Sequence, residues 1–262
     1  MYSSVPYFKL TINCILCLLL ATATQSLGQD NYEIQVYGSE LTPKGQTMLE
    51  LHSNSSVVGS TNTSDNTLPT NHSLRETIEI THGFAPWFEV GFYVFTNATP
   101  QNGYNWVGDH IRPRVSIPES WHWPIGLSLS NEVGYQRMPY SSDLWTYEMR
   151  YIIDKKFKKW YFAVNPTFDI SWQGAQNGKG MYFAPAAKVS YEWTKKITPG
   201  IEYYSSLGPT LGFSPTQHQQ HQICPSVDLD LNPNWEFNAG VAFGLTKDTD
   251  PLIVKIIIGR KF

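Results

Sequence analysis

Apolar and polar residues alternate with a period of two along most of the chain, which is the pattern of β-strands with one apolar face. The pattern is clearest in residues 252–262 at the end of the chain. One face of this segment carries Leu252, Val254, Ile256, Ile258 and Phe262, and the other carries Lys255, Ile257, Gly259 and Lys261. Arg260 is the exception on the apolar face, next to the chain end.

The same alternation predicts about twelve strands, most of them roughly 9–12 residues long. Sheet strands average about 5–6 residues, whereas strands that cross an outer membrane need about 9–11. The predicted strands are residues 47–52, 74–82, 87–96, 107–117, 125–136, 144–154, 160–171, 181–193, 201–207, 221–231, 235–246 and 252–262. Short turns are predicted at 83–86, 154–159, 194–199 and 232–234, and longer loops at 53–71, 97–105, 172–180 and 208–220.

The composition is that of a membrane barrel. Charged residues make up 16% of the chain, where a soluble domain has roughly 25%, and aromatic residues make up 14% with nine Trp. A membrane-spanning helix needs about 18 consecutive uncharged, mostly apolar residues, and no stretch beyond residue 28 is that long. Because only helices and closed barrels satisfy every backbone group inside lipid, the sequence predicts an all-β, antiparallel transmembrane β-barrel.

The last strand, apolar on one side and ending in Phe262, resembles the closing strand of Gram-negative outer-membrane β-barrels. In that family the terminal aromatic residue helps the assembly machinery to recognise the barrel. The resemblance therefore implies an assembly signal in Phe262, Ile258 and Ile256, an outer-membrane location, and contact with lipid bilayer and lipopolysaccharide. Arg260 lies where its long side chain would extend to the membrane interface.

Three regions are predicted along the chain. Residues 1–28 have the pattern of a secretory signal, with Lys9, an apolar core and small residues at the cleavage site. Residues 29–45 form a periplasmic lead-in or a short extra strand, and residues 46–262 form the barrel. Without the signal Cys224 is the only cysteine, which excludes a disulfide-stapled domain. The remaining chain has 18 Lys and Arg against 22 Asp and Glu, which is not the charge of a nucleic-acid-binding protein.

Charged residues lie on the face opposite the apolar one in most strands. An Arg or Lys on the lipid face near mid-bilayer costs about 2–4 kcal/mol, so these side chains are predicted to face the lumen and set its selectivity. They are Arg112, Arg114, Glu132, Glu148, Arg150, Asp169, Lys188, Glu202 and Asp228. The Trp residues fall near predicted strand ends and in the 118–124 turn, as expected for aromatic girdles at the two membrane interfaces.

Signatures of enzymes, cofactors and metals are absent from the sequence. Beyond the predicted signal it contains no His-x-x-x-His, no Cys-x-x-Cys and no phosphate-binding Gly loop. His218 and His221 could form half of a metal site, but a solvated loop is favoured. Ser205 and His221, on adjacent predicted strands, are the candidates for an outer-membrane phospholipase, although the local His-x-Ser arrangement of that family is missing.

The sequence therefore predicts a porin-like channel or transporter for small polar solutes. The alternative is a closed structural or adhesive barrel whose outer loops bind partners. A lumen filled by its own side chains or by residues 30–45 would favour that alternative.

Overall fold

The protein is a closed barrel of twelve antiparallel strands in a computed structural model that describes residues 32–62 and 67–262. The predicted signal, residues 1–28, lies outside the described residues. Two short 3-10 turns occur at Glu119–Trp121 and Thr216–His218. In the part of the chain that the structure describes, no helix has the length and apolar character needed to cross a membrane.

The strands follow one another around the barrel in chain order. They are β1 (Thr47–Val58), β2 (Ser73–Ala85), β3 (Phe88–Thr99), β4 (Gly103–Ser116), β5 (Gly126–Gln136), β6 (Asp143–Phe157), β7 (Trp160–Asn165 and Thr167–Gly174), β8 (Tyr182–Phe183 and Ala186–Tyr191), β9 (Ile197–Ser206 and Gly208–Pro209), β10 (Gln220–Leu229), β11 (Trp235–Gly244) and β12 (Leu252–Lys261). The prediction of about twelve antiparallel strands is confirmed.

The first and last strands close the barrel. Met48 of β1 is in register with Lys261 of β12, and the ladder continues along both strands. Beyond it, Thr47 N donates to Phe262 O at 3.1 Å and Phe262 N donates to Thr47 O at 2.9 Å. Closure leaves no free edge on either strand, which a barrel surrounded by lipid requires.

The outer wall is apolar and the inner wall is polar. Outward side chains such as Leu49, Phe92 and Ile111 are exposed, whereas inward side chains such as Thr77 and Arg112 are buried. A water-soluble sheet protein shows the opposite arrangement, with its charged face exposed. The predicted orientation of the two faces is therefore confirmed.

The aromatic residues lie at the predicted positions. All nine Trp side chains are exposed on the outside of the barrel or in its turns. Arg260 lies near the chain end, where its guanidinium carbon is 5.3 Å from the ring centre of Trp235 and 4.8 Å from that of Phe262. Cation–π contact of this kind lets a charged side chain remain on an otherwise apolar surface.

Several predicted boundaries were wrong, and three of them were wrong by four residues or more. Residues 53–58 belong to β1, although they were predicted as loop, because β12 and β2 pair with them on both sides and Asn54 and Ser56 face the polar lumen. Residues 97–105 are mostly strand, with a turn only at 100–102. Strand β9 begins at Ile197 rather than at residue 201, and it includes Pro199.

Strands β7 and β8 are interrupted at prolines. Pro166 and Pro185 have no N–H to donate, but their carbonyl groups still accept from the neighbouring strands. Tyr151 N donates to Pro166 O at 3.0 Å, and Ser205 N donates to Pro185 O at 3.1 Å. The wall therefore stays closed through the interruption.

Apart from 100–102 and 117–125, the longer connections lie at one end of the barrel and the shorter ones lie at the other. We call these the loop end (59–72, 100–102, 137–142, 175–181, 210–219 and 245–251) and the turn end (86–87, 117–125, 158–159, 192–196 and 230–234). Phe262 lies at the turn end.

Residues 32–42, which we call the lumenal segment, run inside the barrel from the loop-end half to the turn end. Asn54 Nδ2 and Thr77 Oγ1 donate to Tyr32 O at 2.9 and 3.0 Å. Further along, Ser116 Oγ donates to Ser39 O at 2.7 Å. The alternating residues 32–37 do not form a strand, because wall side chains rather than a neighbouring backbone satisfy their polar groups.

Candidate functional site

The lumenal segment divides the lumen into two cavities. The loop-end cavity has a volume of about 320 Å³ and the turn-end cavity about 340 Å³. Gln35 lines both cavities, which places this part of the segment between them. The barrier between the two cavities is therefore one extended chain together with the wall side chains that hold it.

One side of the segment packs against small apolar residues of the wall. Ile34 and Val36 lie in a buried cluster with Ala163, Ala186, Tyr204, Cys224, Ala242 and Ile253. Alanine and cysteine at these inward positions leave room for a backbone inside the barrel. Strands β7, β8, β10 and β11 therefore accommodate the segment by placing a small residue at the inward position that faces it.

A buried lysine holds the segment at Ile34. Lys255 Nζ donates to Ile34 O at 2.9 Å, and it also bonds to the carboxylate of Glu202 and to Tyr204 Oη. Lys255 and Glu202 are 0% and 1% exposed. Buried charges persist only when they are paired and hydrogen-bonded, so the wall charges and the segment stabilise one another.

The other side of the segment lies against arginines. The guanidinium carbons of Arg150 and Arg112 are 4.7 and 5.3 Å from the ring centre of Tyr37. Arg114 Nη2 donates to Gly38 O and Glu40 O. The Tyr37 backbone is fixed by Asn165, whose side chain accepts from Tyr37 N at 2.7 Å and donates to Tyr37 O at 3.0 Å.

The arginines are themselves held by carboxylates of the wall. Arg112 Nη2 donates to Glu79 Oε1 at 2.5 Å, and Glu89 lies 3.5 Å from Arg112 and 3.6 Å from Arg114. Glu89 Oε2 also accepts from Thr42 N at 2.7 Å. This network connects β2, β3 and β4 to the turn-end half of the segment.

Glu33 is the acidic side chain of the buried part of the segment. Glu33 Oε1 has no hydrogen-bond partner. A buried polar atom that is left without a partner lowers stability.

All nine predicted lumenal residues line one of the two cavities. The loop-end cavity contains Glu132, Glu148, Arg150 and Asp169, and the turn-end cavity contains Arg112, Arg114, Lys188, Glu202 and Asp228. The prediction omitted Lys255, Glu79 and Glu50, which occupy inward positions too. The same alternation would have found them, since each lies two residues from other inward positions of its strand.

The phospholipase pair does not form. Ser205 and His221 are register partners on β9 and β10, but Ser205 Oγ donates to Pro185 O at 2.9 Å. His221 Nδ1 lies 2.6 Å from Tyr203 Oη and its Nε2 lies 2.9 Å from Gln219 Oε1. His218 lies 3.0 Å from Asp248 of the next loop rather than beside His221.

Comparison with known proteins gives one family and several similar barrels. The family described as putative MetA-pathway of phenol degradation matches residues 119–252. An outer membrane channel from Pseudomonas putida F1 is 10% identical with a TM-score of 0.60, covering 88% of this chain and 100% of that one. No curated protein matches the chain in sequence.

Two porins also have a similar fold. The KdgM porin in complex with disordered oligogalacturonate is 10% identical with a TM-score of 0.52, covering 83% of this chain and 98% of that one. The NanC porin is 11% identical with a TM-score of 0.52, covering 82% and 98%. At these identities the likeness establishes the barrel fold that outer-membrane channels share.

Proposed function

The chain belongs to the putative MetA-pathway of phenol degradation family, and we propose that it is an outer-membrane channel for small polar solutes. The observation that supports this most directly is the divided lumen. Two polar cavities extend inward from opposite ends of the barrel, and a single extended segment separates them. A solute could pass if that segment and the wall side chains that hold it were displaced.

The test is permeation through the purified protein. Liposomes containing the barrel are expected to swell in small sugars and amino acids at a rate that falls with solute size. The closed structural barrel is the second candidate, favoured by the occupied lumen. A tight seal towards every solute, in the wild-type protein and in a variant without the lumenal segment, would support that candidate and contradict the channel.

The charges of the cavities favour cations over anions. In the turn-end cavity eight carboxylates, Glu40, Glu50, Glu79, Glu89, Asp154, Glu202, Asp228 and Glu236, face the four cations Arg112, Arg114, Lys188 and Lys261. In the loop-end cavity five acidic residues, Glu33, Glu132, Asp143, Glu148 and Asp169, face Arg75 and Arg150. An excess of one sign of charge raises the local concentration of the opposite ion.

Removing two loop-end charges is expected to weaken this preference. In Glu148→Gln/Asp169→Asn the ratio of cation to anion permeability should fall about twofold, measured as the reversal potential in a salt gradient. Glu119→Gln is the matched control, because Glu119 lies exposed in the 117–125 turn and outside both cavities. An equal fall of the permeability ratio in the control would show that the net charge of the protein, and not the charge of the cavity, sets the preference.

The turn end is assigned to the periplasm and residues 1–28 to an export signal that is removed. N-terminal sequencing of the purified protein checks the second assignment and is expected to begin at Gln29. A protein that retains Met1 would contradict it.

Phe262, with Ile258 and Ile256, is assigned to recognition by the assembly machinery. These side chains are exposed on the outer wall, where a partner could bind them before lipid does. Removing Phe262 is expected to lower the amount of folded barrel in outer-membrane fractions severalfold, measured as the protein that shows heat-modifiable migration. Phe243→Ala is the control, since Phe243 is an exposed aromatic of the neighbouring strand away from the chain end.

A further inference from the structure

Three side chains on the inner wall converge where β1 and β2 pair. Glu50 and His52 project to the same face of β1, and Glu79 of β2 is the register partner of Glu50. The three residues are 8%, 0% and 1% exposed. One ligand atom of each lies within 4.8 Å of those of the other two.

Several atoms of this group have unused bonding capacity. Neither ring nitrogen of His52 has a hydrogen-bond partner, and neither does Glu79 Oε2. The shortest ionic contact of His52 is from Nε2 to Glu79 Oε2, at 3.6 Å, which is longer than a hydrogen bond. A buried imidazole without partners and two adjacent buried carboxylates are costly, unless something else binds between them.

The other carboxylate oxygen of Glu79 is already engaged. Oε1 accepts from Arg112 at 2.5 Å and from Thr81 Oγ1 at 2.6 Å. Oε2 is therefore the oxygen available to a ligand, while Oε1 is held by partners that orient the carboxylate. Ligating groups of metal sites are commonly oriented in this way.

We propose that Glu50, His52 and Glu79 form a binding site for a divalent transition-metal ion of the zinc type. One imidazole nitrogen with two carboxylate oxygens is a donor set that Zn²⁺ accepts, and three protein ligands leave a position for water or solute. The imidazole disfavours Mg²⁺ and Ca²⁺, which take oxygen ligands. Glu50 and Glu79 line the turn-end cavity, so the ion has a route from solvent.

The proposal is independent of permeation, because it concerns binding to the folded barrel whether or not solutes pass. The experiment is a Zn²⁺ titration of metal-stripped, full-length mature protein in detergent, followed by calorimetry and by metal analysis after desalting. We expect one tightly held zinc per barrel. His52→Asn and the isosteric Glu50→Gln should each weaken binding by about 100-fold or more, since losing even an outer-shell partner commonly costs 10–100-fold.

His218→Asn is the matched control. His218 is a surface histidine that contacts Asp248 at the loop end, and its replacement is expected to leave zinc binding unchanged. Heat-modifiable migration on SDS gels verifies that each variant is folded. The proposal is overturned if the folded wild-type barrel retains no zinc, or if zinc is lost from His218→Asn and retained in His52→Asn and Glu50→Gln.

Discussion

Deleting residues 32–42 is expected to raise the conductance of the barrel severalfold. The lumenal segment is the part of the chain that separates the two cavities, and its removal joins about 320 and 340 Å³ of polar space into one water-filled path. The wall should remain closed, because the ladder between β1 and β12 does not involve the deleted residues. Single-channel recording in planar bilayers measures the effect.

A disulfide experiment tests the same barrier reversibly, without deleting the lumenal segment. Ile34 and Cys224 belong to the same buried cluster, and Cys224 is the free cysteine among the described residues. In Ile34→Cys, oxidation is expected to join the two sulfurs and hold the segment closed, and reductant should restore the openings. The control is Ile34→Cys/Cys224→Ala, in which oxidation should change nothing. Wild-type conductance in the deletion variant would show that the segment is not the barrier.

Lys255→Met is expected to destabilise the barrel by about 3–5 kcal/mol, the cost of leaving a buried charge without its partner. Of its two lysine partners Glu202 would keep Lys188, at 3.3 Å, and the segment would lose its bond at Ile34 O. Urea unfolding followed by heat-modifiable migration measures the free energy. The same variant should open more often in bilayers, because the segment is less firmly held.

Two further variants separate the charge effect from loss of packing. Lys255→Met/Glu202→Gln removes both charges and is expected to recover more than half of the lost stability, since replacing a whole buried pair costs little. Lys188→Met should lower the stability less than Lys255→Met does. Glu202 keeps its ion pair with Lys255, and Asp228, the second partner of Lys188, is partly exposed to water. Equal losses in both single variants would contradict the proposed role of Lys255.

Much of the wall followed from local pattern alone. Strand side chains alternate regardless of what surrounds them, and a charge such as Arg112 or Lys188 cannot face lipid cheaply. These two constraints were enough to predict the strand number, the face of each strand and the cavity-lining residues. They failed at residues 53–58, where polar side chains resemble a loop and only pairing with β12 and β2 reveals a strand.

The sequence by itself determined that this chain closes into a barrel with an apolar outside and a charged inside, because period-two patterning and the cost of charge in lipid act on each strand separately. The tertiary structure alone decided what fills the inside. Residues 32–37 alternate like a strand, yet they become a lumenal segment because small side chains such as Ala163, Ala186 and Ala242 leave space for them. The bond from Lys255 to Ile34 and the convergence of His52 with Glu79 likewise join residues distant in the chain, and only the closed wall brings them together.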